Sequence, residues 1–334
     1  MSETHLQSSN LKTLPRIDTT KSRHARSRAE KTIKRLDIAD AYPFDHHFFD
    51  SPMGAMHFVY EGSEKVGTGT ILMLHGNPTW SFLYRKFIQA FAPTHRVIAP
   101  DHIGFGLSDK PEDEAAYTID AHIRNLEGLV EALDLQNITL VIQDWGGPIG
   151  LGMAARQPGR VKRIVVINTF GFYPPVQGMD PENLRLPAPL RLMRTKGIGD
   201  VLVRRFGFFE RRAMPTAVGN KRAYKAVRHA YTGIFRNAAD RAGVMAFPRL
   251  IPTNTKHPSA QIMLKETGPY LDSFDGPASI FWGVNDPFFP IEVLHAWKTR
   301  LPHAEVMEIS KGKHYIQEDD PDTIIAGLRG FLAT

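Results

Sequence analysis

Residues 138–152, ITLVIQDWGGPIGLG, hold the stretch of this chain with the most chemical content. Ile138 to Ile142 is an apolar run rich in β-branched residues, the pattern of a buried parallel strand. Gly146 and Gly147 follow at once, and Ile149, Leu151 and Met153 begin a helix. Strand, sharp bend and helix frame a nucleophile elbow, in which the residue at the bend is pushed clear of the sheet edge. The usual G-x-S-x-G carries serine at that point; this chain has Asp144, with Ile142 in place of the first glycine. An aspartate after a strand can also be a helix N-cap, but the flanking glycines favour the elbow. A carboxylate there attacks carbon to give an ester, which water can cleave; a serine attacking saturated carbon would leave an ether, a dead end.

Such a bend needs a sheet behind it, and the surrounding pattern supplies one. His57 to Glu61, Thr70 to Leu74, Arg96 to Ala99, Val161 to Ile167, Ser279 to Trp282 and Glu305 to Ile309 read as further strands. Between them lie helical stretches: Phe82 to Phe91, a helix capped by Thr118 that carries Ile119, Ile123, Leu126, Val130 and Leu133, and a closing helix from Asp322 to Leu332. Strands alternating with helices predict an α/β fold with a mostly parallel, doubly wound sheet. The alternation stops after Phe170. Residues 171–255 begin with a run of prolines and continue as Arg/Ala-rich helical stretches, so they are expected to form a helical cap inserted into a core of residues 41–170 and 256–334. The basic residues of the cap read as a solvated face.

The 334 residues contain no cysteine, which excludes disulfides and thiolate chemistry, and no apolar run long enough to span a membrane. The net charge of +6 is local. Residues 1–36 carry nine Lys and Arg against three acids and few large apolar side chains. Residues 1–40 are therefore expected to be a basic, flexible or partly helical extension, a solvated tail or an arm on another subunit, rather than a nucleic-acid binder. With no apolar signal region in it, a secretory signal is not expected; a transit peptide is the alternative to a tail or arm, and the expected location is cytoplasmic.

His75-Gly76-Asn77-Pro78-Thr79-Trp80, Ala99-Pro100-Asp101 with Gly104-Phe105-Gly106, Ser108-Asp109-Lys110-Pro111, and Gln143-Asp144-Trp145-Gly146-Gly147 together resemble the haloalkane dehalogenases of the α/β-hydrolase superfamily, from about residue 40 to the end. The resemblance implies an α/β-hydrolase fold and a cofactor-free, metal-free conversion of haloalkane and water to alcohol, halide and a proton. Asp144 would be the nucleophile. His314, just after the last strand, would be the base, in the chain order nucleophile, acid, histidine. Asp286, in Gly283-Val284-Asn285-Asp286-Pro287, would orient it, although an aspartate before proline also suits a turn. The rival acid position, after the Val161–Ile167 strand, holds Asn168 and Thr169, neither of them acidic.

The same resemblance assigns the oxyanion hole to the backbone N–H groups of Asn77 and Trp145. None of the four tryptophans falls in the expected cap, so the halide would be held by the Trp145 indole and the Asn77 amide. Phe170, Phe172 and Phe288 are candidate pocket residues by adjacency to these motifs, with core packing equally open to each. His75, Asp101 and Gly106 read as supports of the loops. An Asn at 77 with an Asp at 286 is similar to the third dehalogenase subfamily, which makes a homo-oligomer an expectation. The alternative is an epoxide hydrolase, with the same Asp, His and Asp and with Tyr224 and Tyr231 of the cap as proton donors; those enzymes usually carry an aromatic at the position of Asn77.

Overall fold

The computed structural model describes residue 14 and residues 16–20, 22–62, 69–176 and 178–333. Eight strands form one sheet: β1 (His47–Ser51), β2 (Gly54–Glu61), β3 (Thr70–Leu74), β4 (Arg96–Pro100), β5 (Ile138–Asp144), β6 (Val161–Thr169), β7 (Ala278–Gly283) and β8 (Glu305–Ile309). Their spatial order is β1-β2-β4-β3-β5-β6-β7-β8; β1, β2 and β4 pair antiparallel and every other pairing is parallel. Strands β3, β5 and β7 are buried along their whole length, as helices on both faces of a parallel sheet require.

From β3 the chain steps outward to β4, then returns to the other side of β3 to make β5. The carboxyl ends of β3 and β5 thus flank the point where strand order reverses, the usual crevice for a ligand in such sheets. Leu74 pairs with Ile142 in register, so Asn77 and Asp144 leave the sheet side by side. Helices α2 (Arg85–Phe91), α3 (Ile119–Ala132) and α4 (Gly146–Arg156) connect these strands, and the Thr118 hydroxyl caps α3 by accepting from the Ala121 N–H at 3.0 Å.

Two regions differ from expectation. Strand β1 was not legible, because its adjacent Phe48 and Phe49 break the in/out alternation of a half-buried strand. Both are fully buried, Phe48 against His57 and Phe49 against Gly128 of α3, since the strand is covered on both faces. Part of the extension is helical and packed on the chain's own core rather than solvated. Ser22–Leu36 is a helix, α1, that buries Ala25, Ala29, Ile33 and Leu36 in one stripe. Small side chains let its axis come close to its neighbours, so few large apolar residues are needed. Asp50 holds the segment before it, accepting from Thr19 and Ser22. Residues 1–13 of that extension lie outside the described residues.

Between β6 and β7 the described residues form helices and loops with no strand. The insertion includes α5 (Ala188–Arg194), a helical turn Ile198–Asp200 running into a π-helical turn Val201–Arg205, α6 (Lys221–Thr232) and α7 (Ala242–Leu250). Buried polar contacts tie it to the sheet side. The Trp80 indole donates to the Ala230 carbonyl, and Tyr231 donates to Glu318, which also takes a bidentate contact from Arg85. After β7 come α8 (Ile291–Arg300), β8 and α9 (Pro321–Leu332).

Candidate active site

Asp144 closes β5 with φ +49°, a left-handed backbone that an L-residue holds only under constraint. The two glycines after it make the bend feasible: a Cβ on Gly146 would sit 2.4 Å from the Leu74 carbonyl oxygen, and one on Gly147 2.1 Å from that of Phe170. The bend points the Asp144 carboxylate at three groups. Oδ1 accepts from the Asn77 N–H at 2.7 Å, and the Trp145 N–H also bonds the carboxylate. Oδ2 lies 3.6 Å from Nε2 of His314.

His314 follows β8, and its Nδ1–H donates to Oδ2 of Asp286 at 2.8 Å. Asp286 is itself fixed by four donors. Besides His314, Oδ2 accepts from Asn168 Nδ2 at 2.8 Å, and Oδ1 accepts from the N–H groups of Phe288 at 2.7 Å and Phe289 at 3.1 Å. The three expected residues are therefore brought into one chain of contacts, and Asn77 and Trp145 join them through their backbones. The position passed over as a site for an acid supplies instead the amide that orients one. Nothing in the sequence marks Asn168 for this role, because an uncharged amide after a strand carries no signal of its own and its carboxylate partner is distant in the chain.

The protonation of His314 follows from its neighbours. With Nδ1–H given to Asp286, Nε2 keeps its lone pair and accepts from Nε2 of Gln143 at 3.0 Å. Gln143 Oε1 is buried and has no partner among the described residues, so a half-turn of the amide would offer an acceptor to the protonated ring. Burial alone would pull the His314 pKa down, but the carboxylates of Asp286, Asp144 and Asp319 outweigh it and the net shift is upward. Burial raises the Asp144 pKa, against the opposing pull of His314 and the two backbone N–H groups. Gln143 adjoins Asp144 in sequence; that adjacency was the available signal.

Aromatic rings wall this group. The Trp145 ring meets Phe170 edge-on at 5.1 Å and Phe247 at 5.0 Å, and its indole N–H has no partner among the described residues. Phe288 and Phe289 stand 5.1 and 5.4 Å from the His314 ring, and Phe170 packs on Phe289. Phe172 does not belong with them. Its ring lies against Trp297 and beneath the Arg300 guanidinium, so it serves the core around α8. Phe247 and Phe289 take its place near the site; Phe247 escaped notice because it arrives from α7 of the insertion. Also from α7, the Val244 carbonyl accepts from Asn77 Nδ2 at 3.3 Å, while Asn77 Oδ1 is buried without a partner among the described residues. Of the two tyrosines weighed as proton donors, Tyr231 has its hydroxyl committed to Glu318, and the buried Tyr224 hydroxyl has no partner among the described residues.

Residues 69–321 match the α/β-hydrolase fold family, about three quarters of the chain. The chain belongs to that family. It is 37% identical over 292 residues to a cis-3-alkyl-4-alkyloxetan-2-one decarboxylase of Shewanella oneidensis, covering 87% of this chain and 89% of that protein. It is 35% identical over 288 residues to haloalkane dehalogenase 2 of Mycobacterium tuberculosis, covering 86% and 94%. Among solved structures, haloalkane dehalogenase DbeA of Bradyrhizobium elkani superposes with TM-score 0.76 at 25% identity, over 87% of this chain and 98% of that one. The tetrameric haloalkane dehalogenase DpaA of Paraglaciecola agarilytica gives 0.72 at 28%, over 89% and 95%. Within the α/β hydrolases the chain thus stands among the haloalkane-dehalogenase-like enzymes.

Proposed function

We propose that this protein hydrolyses haloalkanes through a covalent alkyl ester on Asp144. The observation that carries the reading is the asymmetry of that carboxylate: Oδ1 is held by backbone N–H groups of Asn77 and Trp145, and Oδ2 faces His314. Oδ2 attacks the carbon bearing the halogen from the side opposite the departing halide, and the C–O bond forms as the C–X bond breaks. The halide leaves with the electron pair toward the Trp145 indole N–H and the Asn77 amide, in surroundings made dry by Phe170 and Phe247. Oδ1 is now the ester carbonyl oxygen, already seated in its oxyanion hole. His314 takes a proton from water as the hydroxide attacks Cγ of Asp144, and the imidazolium returns that proton to the departing alkoxide as the tetrahedral intermediate collapses, releasing the alcohol. Asp286 holds the ring in the tautomer this requires and stabilises the imidazolium. The helical insertion acts as a cap that shields the ester. Bromide release from a bromoalkane, in step with alcohol, tests the reading; neither product would overturn it.

The similarity to oxetanone decarboxylases favours a second reading of the same site. In a strained four-membered lactone, Asp144 can displace the ring oxygen from its saturated carbon, which leaves an alkyl ester carrying a free carboxylate two carbons away. Loss of CO2 then sends its electron pair into a new C=C bond and returns Asp144 as the leaving carboxylate. No water is consumed and no base is needed. His314→Phe therefore separates the two: it would stop haloalkane turnover and spare lactone turnover. The epoxide reading loses one of its two proton donors, because Tyr231 is already engaged by Glu318, and would rest on the Tyr224 hydroxyl alone.

A further inference from the structure

We propose that the outer face of the helical insertion, centred on Ile198, Val201 and Phe206, docks on an anionic phospholipid surface. This does not rest on the reaction proposed above.

Two independent features coincide there. The first is apolar. Leu192, Ile198, Val201 and Phe206 are 45, 52, 51 and 63% exposed, a density of large exposed apolar side chains that no other fifteen-residue stretch of the described chain reaches. They share an amphipathic segment: Gly199 and Val203 turn inward and are buried, while Ile198, Val201 and Phe206 turn outward with Arg205. The second is charge. All ten exposed Lys, Arg, Asp or Glu side chains between residues 184 and 230 are basic, from Arg185 and Arg191 through Arg205 and Arg212 to Lys221 and Arg228. The two carboxylates of that stretch are spent internally, Asp200 on Arg249 at 3.0 Å and the buried Glu210 on Arg241 at 2.6 Å. Arg194 and Arg204 turn inward onto backbone carbonyls and Glu114, so the basic face is not an incidental surplus of the fold's own ion pairs.

Protruding aliphatic and aromatic side chains interleaved along the chain with the exposed Arg191, Lys196, Arg205, Arg211 and Arg212 suit the bilayer interface, which receives both at once. A second copy of the same face would bring like charges together. Nucleic acid would use the charge and leave the apolar side chains in water. No described helix is long and apolar enough to cross a membrane, so the contact is peripheral.

The full chain should co-sediment with vesicles of phosphatidylcholine and phosphatidylglycerol, bind phosphatidylcholine alone much more weakly, and release as salt rises. Arg205→Ala and Arg212→Ala should each weaken binding about fivefold, from about 1 kcal/mol per basic side chain at such a surface. Ile198→Ser with Phe206→Ser should weaken it at least about tenfold without shifting the unfolding midpoint, since exposed side chains contribute little to the fold. Failure of the parent protein to bind the anionic vesicles overturns the proposal. So does binding that the apolar pair of substitutions leaves unchanged, which marks plain charge adsorption, or capture of an acidic protein in preference to vesicles.

Discussion

Two histidine–aspartate pairs with side chains wholly inside the protein, His57–Asp101 and His314–Asp286, have nearly the same geometry, and they differ in what the second ring nitrogen faces. His57 Nδ1 lies 2.8 Å from Asp101 Oδ2, and His314 Nδ1 lies 2.8 Å from Asp286 Oδ2. Both carboxylates are wrapped by backbone donors: Ser81 and Leu107 on Asp101, Phe288 and Phe289 on Asp286. The difference lies on the far side of each ring. His57 Nε2 meets His46 at 3.2 Å, and the ring is covered by Phe48. His314 Nε2 meets Gln143 and a carboxylate on a strained bend. On the proposed mechanism, a His–Asp pair serves as a base where its second nitrogen opens on the nucleophile; elsewhere it is a pin between strand and loop. Asp101 pins β2, the Ser81 turn and the glycine-rich loop together.

The largest effect expected from breaking this contrast is His314→Phe. Haloalkane turnover should fall by about 10⁴-fold, the upper end of what a positioned base contributes. Intact-mass measurement after one bromoalkane exposure should show an alkyl increment on Asp144, because the first displacement needs no base. Next comes Asp286→Asn. The amide would donate to Nδ1 and force the proton onto Nε2, the wrong tautomer, for a loss of about 10³–10⁴-fold in kcat with substrate binding retained.

The matching change in the other pair should move stability and leave turnover alone. Burial opposes ionisation of Asp101, but His57, His75 and Ser81 bring its pKa down from 3.8 to about 2. A depressed carboxylate pKa gives stability that is full above pH 3.8 and is lost as pH falls toward 2. That difference amounts to about 2 kcal/mol. Asp101→Asn should therefore lower the urea midpoint at pH 7 and flatten its acid dependence, with kcat per folded molecule unchanged. Equal losses in kcat for Asp101→Asn and Asp286→Asn would erase the distinction between the pairs.

What the sequence made legible follows the same division. Strand–helix alternation and the Asp144 bend are local patterns, and β3 and β8 fall within the limits expected for them. The contacts that distinguish the two pairs are not local. Asn168 and Asp286 are 118 residues apart, and Gln143 and His314 171 apart, so no spacing rule could have joined them. The α1 stripe was hidden because Ala25 and Ala29 carry little hydrophobic signal, although they lie fully inside. Phe172 misled for the opposite reason: it is strongly apolar and next to a motif, but its strand end turns it toward Trp297.

The pH dependence sharpens the contrast more finely. His314 titrates above its ordinary 6.5 because carboxylates surround it. As a base it works only when neutral, so hydrolysis of the trapped ester should rise with pH through a midpoint displaced upward by Asp286. Alkylation neutralises Asp144, one of the raising charges, so the midpoint should be lower in the alkyl-enzyme than in the free protein. Rapid-quench measurement of ester decay against pH, beside an NMR titration of free His314, checks both. Coincident midpoints would mean that Asp144 is not the alkylated group.

The smallest effect should come from Asn168→Ala. It removes one of the four donors on Asp286, together with two bonds to the Gly283 backbone, and leaves His314, the Phe288 N–H and the Phe289 N–H in place. A hydrogen bond to a charged group is worth about 1.5–3 kcal/mol when a buried partner is removed. Most of that should appear as lost stability, because Asp286 is buried in both halves of the reaction. The kinetic share should be about tenfold and confined to ester hydrolysis, since only that step needs the ring held in one tautomer. Single-turnover halide release should stay at the parent rate while alcohol release slows. If halide release slows as well, the amide at 168 shapes the nucleophile's bend through β6 rather than the acid, and the likeness between the two carboxylates would extend no further than their backbone donors.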